Sequence, residues 1–92
     1  MAKFLMLGKY SQEAIKGISA GRTKKGIEII KKAGGKVNSI LTLLGNYDLA
    51  LVVDFPGVKE AMKASVGLTK LTGIGFTTSP AISVEEFDKI IS

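Results

Sequence analysis

Runs of apolar residues alternate with stretches of helical spacing, and the alternation predicts the order βαββαβ followed by one more helix. Phe4, Leu5, Met6 and Leu7 are apolar without a break, so residues 3–10 read as a strand ending at Tyr10. Ser11 offers an N-cap, with Glu13 in the first turn, where an acid suits the helix dipole. The helical segment runs to about Ala33 but is interrupted by Gly17, Gly21 and Gly26. The pattern predicts a short piece over 12–18, a break around Ser19-Ala20-Gly21, and a main helix over 22–33. Ile27, Ile30 and Ala33 then share one stripe, and Gly34-Gly35 stops the helix.

A second strand over 36–44 and a third over 48–55 flank Gly45-Asn46, a pair typical of tight hairpin turns. Pro56 suits a first helical position, and Val58, Ala61, Met62, Ser65, Leu68 and Leu71 follow at spacings of three and four. Residues 73–79 form a fourth strand, stopped by Pro80. Ser83 to Glu86 is a capping box opening a last helix with Val84, Phe87, Ile90 and Ile91 on one side. Right-handed crossovers joined by a central hairpin make this a ferredoxin-like α+β fold: a four-stranded antiparallel sheet with both long helices on one face.

The uncovered face should then be polar at every second position. It is not. Strand three sets Leu49, Leu51, Val53 and Phe55 on one face, with Ala50 and Val52 between Asp48 and Asp54 on the other. Strand one is apolar at both parities, and strand two mixes Ile40 and Leu44 with Asn38 and Thr42. Contiguous apolar patches above a few hundred Å² are rare on monomers. Two sheets packed face to face, a dimeric α/β barrel, would cover the surplus; the competing solution is that the last helix folds back over the face.

Composition narrows the chemistry. The 92 residues hold one domain, residues 1–92, and one core. There is no Cys and no His, which removes disulfides, thiolate nucleophiles and the commonest metal ligand. No metal and no cofactor is expected. The opening apolar run is too short for a signal segment, and no stretch approaches the ~20 apolar residues of a membrane span, so a cytoplasmic location is expected. Charge is lopsided: residues 1–46 carry nine Lys/Arg and two acids, residues 47–92 four and six. Arg22, Lys24, Lys25, Lys31, Lys32 and Lys36 cluster in and after the first helix. No aromatic residue sits among them to stack bases, which disfavours nucleic acid, whereas a small anion suits the helix start at Gly21-Arg22-Thr23.

Gly45-Asn46-Tyr47-Asp48, followed by an apolar strand, an acid and a helix, resembles the GYD domain family, in which a Gly-x-Tyr-Asp hairpin joins the second and third strands. The likeness takes in Gly8-Lys9-Tyr10-Ser11, Gly21-Arg22, Gly34-Gly35-Lys36 and Thr77-Thr78-Ser79-Pro80. It implies the fold and self-association, without an established general activity. Residues 45–78 are also similar to the ligand-sensing domain of Lrp/AsnC-type regulators, dimeric barrels that bind amino acids at subunit interfaces; a helix-turn-helix has no room in this chain.

Six residues are candidate ligand contacts. Tyr47 and Asp48 offer a phenol and a carboxylate at a cleft lip, or simply turn chemistry. Lys9 and Tyr10 end strand one and Asp54 ends strand three; a buried pair there would tune a proton-transfer group, and an ordinary rim salt bridge is the plainer alternative. Arg22 is the anion contact, and Gly73 with Gly75 leaves a hollow on one face of strand four. The expectation is a homo-oligomeric module that binds a small anionic or amino-acid-like metabolite near the open sheet face or subunit interface. Its rivals are a cofactor-independent barrel enzyme of monooxygenase or isomerase type, with no catalytic residue assigned, and a purely structural assembly unit.

Overall fold

The unbroken apolar run becomes a central strand, paired on both sides. In the computed structural model, which describes residues 1–92, β1 (Ala2–Lys9) pairs antiparallel with β3 (Leu49–Phe55) and with β4 (Gly75–Ala81). β2 (Lys36–Thr42) pairs antiparallel with β3, giving the order β2-β3-β1-β4. The helices are α1 (Gln12–Lys16), α2 (Ala20–Lys32), α3 (Val58–Thr72) and α4 (Val84–Ile91). The element order, antiparallel pairing and strand order are those of the ferredoxin-like fold.

The core lies between one sheet face and α2 with α3. Phe4 and Met6 of β1 meet Leu51, Val53 and Phe55 of β3, while Ile30, Ala33, Ala61, Ala64 and Leu68 close over them. Phe4 and Phe55 stack edge to face at 5.7 Å between centroids. α2 and α3 approach closely because Gly67 has no side chain: a Cβ there would stand 3.1 Å from Ile29 Cγ2. No helix is long and apolar enough to cross a membrane.

Boundaries shift for identifiable reasons. The first helical piece ends at Lys16, and the break falls at 17–19, because the Ser19 hydroxyl accepts from Arg22 N–H at 3.0 Å and opens α2. Pro56 precedes the helix rather than starting it, with Gly57 as an extended N-cap. Gly73 is not in the fourth strand: it caps α3 in the left-handed conformation, φ 76°, so it shares no strand face with Gly75. Pro80 does not stop β4. It lies inside an edge strand, whose unpaired side tolerates a residue without an N–H.

The central hairpin turn is wider than two residues. Leu43 N–H donates to Asp48 C=O at 2.9 Å, closing a loop of Leu44 to Tyr47. In β2 the register shifts between Val37 and Ser39, opposite Val53 and Val52. That bulge turns the strand over: Ile40 packs against the core, while Leu41, opposite Ala50, lies on the uncovered face and is 59% exposed. With Leu5, Leu7, Ala50 and Val52 it forms an aliphatic centre bordered by Thr77 and Ser79 of β4. α4 does not cover this face. It buries no residue, and none of the element pairings that build the fold includes it.

Candidate functional site

The three principal hollows lie away from the uncovered face. The best-built one is a cleft of about 260 Å³ between the sheet and α2. Ile40, Thr42, Leu49, Leu51 and Phe76 line it from the sheet; Arg22, Thr23, Gly26, Ile27 and Ile30 line it from α2. Leu68, Thr72 and Ile74 form the α3 side, and Tyr10, Ile18 and Ser19 border it from the segment after β1. Most of this lining is apolar, the aromatic rings of Tyr10 and Phe76 included. The polar side chains near its edge therefore decide orientation.

Local bonds satisfy most of those polar groups. Thr72 Oγ1 donates to Leu68 C=O at 2.7 Å and accepts from Ile74 N–H at 3.0 Å. Thr23 Oγ1 donates to Ser19 C=O at 3.3 Å. Arg22 differs. One guanidinium nitrogen, Nη1, donates to Ala14 C=O, and the guanidinium carbon lies 5.9 Å from the centre of the Tyr10 ring. No carboxylate comes within ion-pair distance of it; the chain's one ion pair is Lys3 with Asp54. A half-buried, fixed cation beside an apolar cleft suits a carboxylate or similar anion, because a planar guanidinium offers paired donors.

Of the six residues expected from the sequence, the structure brings Tyr10 and Arg22 into the cleft lining. Asp48 acts from behind. Its Oδ2 accepts Tyr10 N–H at 2.8 Å, and its own N–H donates to Gly8 C=O at 2.8 Å, so it holds the end of β1 in place. Lys9 Nζ donates to Asn46 C=O at 3.0 Å across the turn, outside the cleft. Tyr47 sits on that turn, 36% exposed, also outside it.

The expected pairing of Lys9 or Tyr10 with Asp54 does not form. β1 and β3 are antiparallel, so Gly8 faces Leu49 while Lys3 faces Asp54, and the two groups lie at opposite ends of the sheet. Asp54 Oδ1 instead accepts from Lys3 Nζ at 3.3 Å, and Oδ2 from Asn38 Nδ2 at 3.1 Å. The Asn38 bond is the largest influence and holds its carboxyl below the usual value of 3.8; desolvation opposes it, and the Lys3 bond with the Lys3 and Lys36 charges adds to the lowering. Gly75 opens onto empty space rather than onto a hollow.

Sequence reasoning missed Thr42, Thr72, Ile18 and Phe76 as cleft residues. Thr42 reaches the cleft only through the β2 bulge, which no residue pattern announces. Ser19 carried a signal, because a Ser immediately before a helical stretch is an N-cap candidate.

A family model described as GYD domain matches residues 4–91 of the 92, and the chain belongs to that family. No curated protein matches the chain.

Proposed function

We propose that this GYD-domain chain is a homo-oligomeric binding module whose cleft between the sheet and α2 takes a small metabolite. The ligand has an apolar body against Ile27, Leu49 and Leu51 and an anionic group against Arg22, with the Tyr10 ring beside it. The single observation that carries the reading is Arg22: a half-buried guanidinium without a carboxylate partner, at the edge of a mostly apolar cleft. Asp48 is a positioning residue here, acting through the Tyr10 backbone. Self-association draws support from the uncovered face, where Leu5, Leu7, Leu41, Ala50 and Val52 form an aliphatic surface.

A thermal-shift screen with amino acids and aromatic acids tests the binding reading. A ligand at 100 times its Kd adds about 2.7 kcal/mol to stability. Acids with apolar bodies are expected to raise the melting temperature, and Arg22→Gln to weaken them about tenfold or more, since a hydrogen bond to a charged group contributes roughly 1.5–3 kcal/mol. If no acid shifts the protein, the purely structural reading takes its place. A monomeric elution volume at micromolar concentration would refute the oligomer.

A further inference from the structure

The cleft leaves two other features of the surface unused, and they match each other. The first is α4. At 100° per residue, Val84, Phe87, Ile90 and Ile91 fall on one side of it, and all four are more than half exposed. Asp88 and Glu86 fall on the two borders of that stripe, and α4 carries three acids against one lysine. A helix of this pattern is normally held by burying its apolar side, yet no residue of α4 is buried on its own chain.

The second is a groove of about 300 Å³ between α3 and β4, floored by Phe4, Phe76 and Pro80. Along it α3 presents Val58, Met62 and Val66, each more than half exposed. By the same angular count Lys59, Lys63 and Lys70 form the next stripe on α3, on the side away from its buried residues. Glu60 is the one acid of that helix. Val58 to Val66 spans about 12 Å and Val84 to Ile91 about 10.5 Å, at 1.5 Å per residue.

We propose that α4 of one copy lies in the α3–β4 groove of a second copy, its apolar side on Val58, Met62 and Val66 and its acids along the Lys59–Lys63–Lys70 stripe. An amphipathic helix laid in an apolar groove is a recurrent recognition mode, and here the charges on the two parts are opposite. One chain supplies both parts, so the surface is complementary to itself. In the chain's own fold no α4 residue lines the α3–β4 groove. Two copies that exchange α4 reciprocally satisfy both grooves and close that interface about a two-fold axis, leaving the uncovered sheet face as a separate surface.

The absence of cysteine makes a cross-linking test clean. Met62→Cys protein mixed with Phe87→Cys protein under mild oxidation is expected to give the mixed disulfide dimer in excess over either homodimer. Replacing Phe87→Cys with Lys89→Cys, on the polar side of α4, is expected to lose that excess; equal yields from the two would overturn the proposal. In the double variant M62C/F87C, intermolecular disulfides support it. A disulfide closed within one chain, read by intact mass, would mean that α4 folds onto its own groove and would overturn it. An excess of unmodified chain is expected to lower the yield of the mixed cross-link, and an excess of the double variant M62E/F87E, altered in both groove and helix, is not; circular dichroism confirms that the variant folds. Competition by M62E/F87E equal to that of the unmodified chain would also overturn it.

Discussion

The two ends of the β1–β3 pair carry the same kinds of residue and use them differently. At one end Asp48 accepts a backbone N–H from Tyr10, and Arg22, beside the Tyr10 ring, has no carboxylate partner at the cleft. At the other end Asp54 is fully engaged, by Lys3 and Asn38, on the uncovered face of the sheet. Net charge at each end is a poor guide to where an anion would be accommodated. What matters is whether a charged group has already met its opposite, and whether an apolar hollow lies next to it. The Tyr10 end meets both conditions.

The comparison also separates what holds each end together. At the Asp54 end the adjacent residue, Phe55, points the other way and is fully buried against Phe4 and the helices. Phe55→Ala is therefore expected to produce the largest loss, about 3–5 kcal/mol of unfolding free energy in a urea melt. A loss well under this range would mean that the buried underside does not anchor that end.

At the Tyr10 end the carboxylate itself is the anchor. Asp48→Ala removes the acceptor of Tyr10 N–H, and a half-buried donor left without a partner costs about 1–3 kcal/mol. The same variant is expected to weaken acid ligands, because Tyr10 is no longer held beside Arg22. Asp48→Asn keeps an acceptor oxygen and should recover much of the stability. If Asp48→Ala melts like the unaltered chain, the carboxylate is not the anchor and the two ends are alike.

Much of this was legible in the sequence, and the limits have physical causes. Strands and helices followed from the period of apolar residues, because that period is what burial on one face requires. Ser11 and Ser83 read correctly as caps, since each hydroxyl accepts from a backbone N–H three residues on. The Asn38–Ser39 bulge did not read, because a bulge changes which face a residue occupies without changing the residues. Pro80 misled because its tolerance depends on being at a sheet edge, which is a property of strand order. Lys9 and Asp54 were wrongly brought together for a related reason: neighbouring strands were inferred correctly, but antiparallel direction sends their ends apart. Tyr10 and Arg22 were both candidates from the sequence. That they line one cleft was not legible, since its lining comes from both long helices, three strands and the segments between them.

Asp54→Ala is the matching variant at the far end and should give the smallest midpoint shift of the three, because exposed ion pairs are screened by water and contribute little. A shift as large as that of Asp48→Ala would erase the distinction between the ends.

The finest test of the comparison is its pH dependence. Asp54 has a folded-state pKa below the usual 3.8, so the unfolded chain takes up its proton first as the pH falls. Its contribution to stability is therefore complete above the ordinary carboxylate range and is lost as the pH falls through the folded-state value. Urea melts of the unaltered chain and of Asp54→Asn should differ at pH 7 and converge as the pH falls through the folded-state value. Lys3→Met should shrink the difference at pH 7 only in part, because Asn38 rather than Lys3 is the larger cause of the depression. A difference between the two chains that stays constant from pH 7 down through the folded-state value would mean that Asp54 acts through the shape of the β2 bulge and not through its charge. In that case the two ends would differ in geometry alone.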